Sequence, residues 1–292
     1  MTMSNKVWFI TGASRGLGLE ITRSVLNAGN KVVATARSPK AIEEALGTSE
    51  NLLVLKLDVT KQEDAKSAVE KAKERFGRVD VLVNNAGYGQ LGWFENNADQ
   101  QIRKQFETNV FGAMNVTRAV LPIMRQQHSG YVFTISSVSG MVSVAGATIY
   151  ASSKFAVEGW KEGLAQELQP LGIKAIIIEP GFFNTDFLDS TSVNYGEYNI
   201  ADYEEKATKF RQWHDEMNHN QVGDPAKLGA ALIQLSEMEN PPVRFAAGSD
   251  AAGWVINKAE SIHAEAEKYK ELSSSTDGAI KNADLLNSSP LS

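Results

Sequence analysis

Val7-Trp-Phe-Ile-Thr-Gly-Ala-Ser-Arg-Gly-Leu-Gly18 is the stretch on which the reading of this chain turns. A short apolar run that suits a buried strand stops at Thr11, and glycines follow at 12, 16 and 18 before a helical period begins. At such a strand-to-helix turn the first backbone N–H groups of the helix face outward together and can receive the pyrophosphate of a dinucleotide. The spacing is G-x-x-x-G-x-G, not G-x-G-x-x-G. A glycine-rich connection also occurs without any ligand, so the turn alone does not establish binding.

Downstream, short β-branched runs alternate with longer segments of helical period. Strands are expected at Val7–Thr11, Lys31–Ala36, Leu52–Leu57, Val79–Asn84, Tyr131–Ser136, Ile173–Glu179 and Val243–Ala246. Helices are expected near 16–28, 39–46, 61–76, 99–126, 149–170 and 225–237. Repeated βαβ units with right-handed crossovers give an α/β fold, a doubly wound seven-stranded parallel sheet with helices on both faces. Thr60 with Glu63 reads as a capping box, Gly77 as a helix stop, and Gly29-Asn30 and Leu171-Gly172 as turns. Pro122 is expected to kink the long fourth helix or end its regular part.

The rhythm breaks at 182–222, which carries Phe187, Tyr195, Tyr198, Tyr203, Phe210 and Trp213, shows no strand pattern and reads as an inserted helical lid. Residues 249–272 form an extra C-terminal helix with an apolar stripe at Ala252, Val255, Ile256, Ala259, Ile262 and Ala266, expected to pack on the body or on a second subunit. The expected organisation is one catalytic domain over 1–272, followed at 273–292 by a mobile tail rich in Ser, Asn and small residues.

Composition narrows the possible functions. The 292 residues are 42% hydrophobic and 22% charged, as in ordinary globular proteins. A net charge of −6 works against a nucleic-acid or anionic-membrane surface. The absence of cysteine excludes disulfides, thiolate metal sites and cysteine nucleophiles. No apolar run reaches the ~20 residues of a spanning helix, and Met1–Lys6 lacks the features of a secretory signal. The expectation is a cytoplasmic protein without nucleic-acid or membrane partners. His214, Asp215, Glu216 and His219 raise the question of a metal, but histidines five apart on a helix do not share a face, and no metal site is expected. Lys206, Lys209, Arg211 and His214 read as a solvated helix face.

Chemistry enters with Tyr150-Ala-Ser-Ser-Lys154. One helical turn apart, the phenol and the ammonium project from one face, so the lysine charge should favour the phenolate and make Tyr150 an acid or base near neutral pH. After the second strand the chain reads Thr35-Ala36-Arg37-Ser38. A carboxylate at this point would accept the ribose 2′-OH of NAD and repel a 2′-phosphate. Arg37 stands there instead, with Arg15 in the glycine loop, and both point to NADP(H). Taken singly, such polar residues also cap helices or close turns.

Taken in order, the glycine loop, Asn84-Asn85-Ala86-Gly87, Asn109, Ser137, Tyr150, Lys154 and Pro180-Gly181 resemble the short-chain dehydrogenase/reductase family. The resemblance covers roughly residues 5 to 248, and it implies a Rossmann-type fold. Val7-Trp-Phe-Ile-Thr-Gly12 and Gly248-Ser-Asp250 are most similar to its single-domain, 17β-hydroxysteroid-dehydrogenase-like branch. It also implies roles. Thr11, Gly12, Ser14, Arg15, Gly16, Leu17, Gly18, Arg37, Asp58 and Val59 would border the dinucleotide, Asp58 at the adenine. Asn85, Ala86 and Gly87 would flank it while supporting the central sheet. Pro180, Gly181 and Thr185 would line the nicotinamide site, and Lys154 would bind the nicotinamide ribose.

In catalysis Asn109 would hold a water relayed to Lys154, Ser137 would orient the substrate oxygen, and Tyr150 would give or take the proton. The family's serine stands thirteen positions before its tyrosine, which selects Ser137 over Ser136, and only one of two adjacent strand residues can face the substrate. Trp93, Met141, Val142, Val144, Phe182, Phe183 and Phe187 are the apolar candidates for contact with a hydrophobic ketone, aldehyde or alcohol, with packing inside the lid as their competing role. The family further suggests a homodimer or homotetramer built through helices 99–126 and 149–170. A non-catalytic NADP(H) sensor is the alternative from another class. It would keep the loop but have no need of Tyr150 and Lys154.

Overall fold

The computed structural model describes residues 5–189 and 192–278. In chain order the strands are β1 (Val7–Thr11), β2 (Lys31–Ala36), β3 (Leu52–Lys56), β4 (Val81–Asn84), β5 (Gly89–Leu91), β6 (Gly130–Ile135), β7 (Ile173–Pro180), β8 (Val193–Tyr195) and β9 (Arg244–Ala247). The helices are α1 (Gly16–Asn27), α2 (Lys40–Leu46), α3 (Gln62–Phe76), α4 (Asp99–Phe106), α5 (Gly112–Gln127), α6 (Thr148–Leu168), α7 (Glu204–Met217), α8 (Pro225–Glu237), α9 (Ser249–Lys268) and α10 (Lys270–Ser274).

Seven strands form one sheet in the order β3-β2-β1-β4-β6-β7-β9, every pairing parallel. The order reverses between β1 and β4, which opens a crevice at their C-terminal ends. Helices cover both faces, so β1 is apolar from Val7 to Ile10 and every one of its residues is buried. Its side chains alternate between two cores. Val7 and Phe9 pack with α3, α5 and α6, while Trp8 and Ile10 pack with α1, α2 and α8. Burial of each such side chain stabilises the fold by roughly 1.5–3 kcal/mol.

The structure revises several expectations. The helix expected over 99–126 is divided by a wide π-helical turn at Glu107–Phe111, whereas Pro122 lies inside α5, which runs on to Gln127. Gly112 follows the wide turn because a Cβ there would stand 2.6 Å from Val59 Cγ2. The capping box does not form. Thr60 Oγ1 donates to Asp58 at 2.7 Å, and α3 begins at Gln62 with no side-chain cap on Lys61. The lid holds a strand after all, since β8 pairs in parallel with β5. Gly77 and Gly172 do take the left-handed conformation at helix ends.

The chain divides into two compact units, one ending at Val255 and one beginning at Ile256. In the second unit Ile256 and Ile262, members of the expected stripe, are exposed. The tail expected from 273 begins with the end of α10, and its residues from 279 onward lie outside the described residues.

Lys161 on α6 is fully buried and donates to the Val132 carbonyl at 3.1 Å. Burial pushes its pKa down to about 7. Between that value and the ordinary 10.5 the unfolded chain binds the extra proton, so this group makes stability rise with pH. Lys161→Met should therefore stabilise the protein by ~1–3 kcal/mol at pH 6. Chemical denaturation across pH 6–10 should show the gain shrinking as pH rises.

Candidate functional site

The glycine turn is held from below by a polar network. Thr11 Oγ1 accepts from the backbone N–H groups of Asn85 and Ala86 at 3.0 and 3.1 Å. Asn85 Nδ2 donates to the carbonyls of Thr11 and Gly12 at 2.9 and 3.1 Å. Asn84 Nδ2, at the end of β4, donates to Thr117 on α5 and Thr134 on β6. Gly12 and Gly16 adopt φ of +65° and +54°, which favour glycine. At Gly18 a Cβ would stand 2.3 Å from the Gly12 carbonyl oxygen, so only a bare backbone lets α1 start this close to β1. The N-cap residue, Arg15, gives the first turn of α1 no side-chain cap, which leaves its N–H groups able to meet an anion at the cleft wall.

The cleft has a volume of about 890 Å³. Gly12, Ser14, Arg15, Gly16, Leu17, Arg37, Asp58, Val59, Asn85, Ala86, Gly87, Pro180, Gly181 and Thr185 line it. Thr11 and Gly18 lie beneath that lining as supports. Burial works to raise the Asp58 carboxyl but is outweighed by hydrogen bonds from Thr60, with Lys61 and Arg37 adding to the fall, so its pKa is lowered. Gly181 packs on the start of α9, where a Cβ would meet Asp250 Oδ2 at 2.2 Å, and the same carboxylate accepts from Phe182 N at 2.8 Å.

At the other end of the cleft α6 carries Tyr150 and Lys154, 8% and 7% exposed. Tyr150 lines the cleft together with Ser137 and packs against Phe187 with ring centres 5.7 Å apart. Ser137 Oγ also accepts from Ser139 N at 3.1 Å, whereas Ser136 is buried beneath Gly140 and beside Glu158. Lys154 Nζ donates to the Ile135 carbonyl at 2.9 Å and lies 5.7 Å from the centre of the Tyr150 ring. Burial pushes Lys154 down to about 8, against the pull of Glu158. Burial likewise pushes Tyr150 up to about 12, with Ser137 acting the other way. The expected pull of Lys154 on the phenol is not found: the ammonium is tied to a backbone carbonyl, and burial holds the Tyr150 pKa above its ordinary value.

Asn109 sits in the wide turn and does not line the cleft. Its amide group donates to the Tyr88 carbonyl at 3.0 Å and to Ser153 Oγ at 3.3 Å, and its oxygen accepts from Tyr88 N at 3.1 Å.

Of the apolar candidates, Val142, Val144, Phe182, Phe183 and Phe187 line the cleft, while Trp93 and Met141 do not. Trp93 packs instead inside the lid, stacked on Tyr203 and edge-on to Phe210. The sequence reading missed His214, assigned to a solvated face. It is buried, lines the cleft, sits between Phe210 and Trp213, and has Nδ1 2.7 Å from the Phe210 carbonyl. Burial lowers its pKa. The flanking aromatics at 210 and 213 mark the inward face of α7 and were the available signal. Trp254 of α9 was missed as well and lines the cleft. Asp186, Asp189 and His219 bring their ligand atoms within 4.8 Å of one another. Asn218 donates to Asp189 Oδ1 at 2.6 Å, and His219 Nε2 lies 3.4 Å from the same oxygen.

The short chain dehydrogenase family model matches residues 6–196, and the chain belongs to that family. It is 37% identical over 270 residues to oxidoreductase BOA17 of Botryotinia fuckeliana, covering 92% of this chain and 98% of that one. It is 36% identical to a 3-ketodihydrosphingosine reductase of Bacteroides thetaiotaomicron, over 84% of this chain and 89% of that one. Among solved structures, a short-chain dehydrogenase from Streptomyces avermitilis superposes with a TM-score of 0.87 at 39% identity, covering 94% of this chain and 100% of that one. ElxO with NADP bound gives a TM-score of 0.66 at 27% identity over 81% and 93%. The protein is an oxidoreductase of this family.

Gly18→Ala should cost ~1–3 kcal/mol through overpacking against Gly12. Thermal melts with and without NADPH check this, and the variant should also lose most of the stabilisation that the dinucleotide confers.

Proposed function

We propose that this oxidoreductase uses NADP(H) to interconvert a hydrophobic ketone or aldehyde and its alcohol, with Tyr150 as the acid and base. The observation that carries the reading is that Ser137, Tyr150 and Lys154 together line the aromatic end of a cleft whose other end is bordered by the glycine turn, Arg15 and Arg37. The two arginines, on a wall where a carboxylate would serve NAD, favour the 2′-phosphate. The NADP found in ElxO agrees with this choice.

The nicotinamide, when bound, supplies the hydride. The residues do the rest. The Ser137 hydroxyl and the Tyr150 phenol converge on the position a carbonyl oxygen would take, where they stabilise the charge that develops there. Tyr150, neutral through physiological pH, delivers its proton to that oxygen. Lys154, anchored on Ile135, places a positive field behind the phenol as the proton leaves. Phe182, Phe183 and Phe187, with Trp213 and Trp254 beside them, exclude water and receive an apolar substrate. Phe111 and Phe155, exposed near the start of α5 and on α6, favour a homo-oligomer.

The test is the initial rate of NADPH oxidation, with NADH in parallel, against aliphatic, aryl and steroidal ketones. Wild type should consume NADPH faster than NADH, and Tyr150→Phe should lower turnover at least about 100-fold while leaving NADPH binding intact. Near-normal turnover in the variant would overturn the assignment.

A further inference from the structure

Behind the catalytic pair lie charged groups that the mechanism above does not use. Glu158, one turn after Lys154 on α6, and Glu179, near the end of β7, are 4% and 1% exposed. Their carboxyls meet at one guanidinium nitrogen. Oε1 of each accepts no hydrogen bond among the described residues. Arg244 of β9 bridges the two, its Nε 3.2 Å from Glu158 Oε2 and 3.5 Å from Glu179 Oε1, while its Nη2 is bonded to Glu162. Gly140 closes the cluster from above: a Cβ there would stand 2.7 Å from Ser136 Oγ and 2.9 Å from Glu158 Oε1.

One guanidinium divided among three carboxylates does not neutralise two buried ones that meet at the same nitrogen. A single proton held between them does, because two like charges at this separation and burial cannot both ionise readily. We propose that Glu158 and Glu179 share one proton and that the charge state of this pair tunes Lys154, which makes them positioning residues for the catalytic ammonium. This rests on the assignment of Lys154 to catalysis.

The groups facing the pair are Lys154 and Glu162 from α6, Arg244 from β9 and Ser136 from the segment after β6. Lys161 on α6 is turned to the Val132 carbonyl. Burial, with Glu158 adding to it, raises Glu179 well above the ordinary carboxylate range, and burial raises Glu158 as well. Glu158 is the charge that opposes the fall of Lys154. When the shared proton passes to solvent as pH rises, the pair gains one negative charge a helical turn from Lys154, and the ammonium persists to higher pH.

In wild type, kcat/KM for ketone reduction should fall on the alkaline side as Lys154 deprotonates. Glu179→Gln and Glu158→Gln each leave at most one negative charge where wild type reaches two. Both should move that limb to lower pH by about half a unit or more, with KM for NADPH little changed. An unmoved limb in folded variants would overturn the proposal. A readout independent of turnover and of the variants is carboxyl carbon-13 titration of glutamate-labelled wild type. One buried glutamate should titrate near neutrality, and titration of every glutamate in the ordinary range would contradict the shared proton. Normal turnover in Tyr150→Phe would count against the mechanism and not against the pair, which the carboxyl titration decides by itself.

Discussion

The hydrogen bond from Lys154 Nζ to the Ile135 carbonyl is the contact around which the site is organised. A buried ammonium must find an acceptor, and here the acceptor is the last carbonyl of β6, next to the turn that carries Ser137. Satisfying Lys154 therefore fixes how far α6 slides along the sheet. With that register set, Tyr150, one turn earlier, falls on Ser137 and under Phe187. Packing alone would tolerate small shifts of α6, but an ammonium with one hydrogen-bond acceptor among the described residues does not.

The opposite wall of the cleft depends on a similar economy of polar groups. Parallel strands end together at β1 and β4, and the chain must turn away from both without leaving backbone groups unpaired. Thr11 and Asn85 answer that need reciprocally, the hydroxyl taking two N–H groups from one turn and the amide giving two hydrogens to the other. The first N–H groups of α1 are left uncapped at the cleft. A place fit for an anion is thus a consequence of how the sheet is finished at its switch point.

What the sequence disclosed follows from the range of the forces involved. β1, β2 and α8 lie at the expected residues because each is an apolar run or amphipathic period bounded by local turn signals. The order of Gly12, Asn85, Ser137, Tyr150 and Lys154 was legible because each stands at a fixed place in a strand–turn–helix unit. The wide turn at Glu107–Phe111 was not, since it accompanies contacts of Asn109 with Tyr88 and of Gly112 with Val59, remote in the chain, while the apolar period runs through it unbroken. β8 is three residues long, too short for alternation to register. Trp93 and His214 exchanged roles because hydrophobicity says that a residue is inside but not against which neighbour. Glu158, Glu179 and Arg244 come from a helix and two strands, and no local pattern announces that they meet.

The central claim is that Ser137, Tyr150 and Lys154 carry out carbonyl reduction with hydride from the nicotinamide. The most direct measurement is deuterium transfer from NADPH labelled at C4, followed by mass spectrometry and NMR of the alcohol formed from a ketone consumed in the panel. The account predicts deuterium on the carbinol carbon, in one stereochemical sense, and none on the hydroxyl. Alcohol formed without deuterium at that carbon, under wild-type turnover, would contradict it.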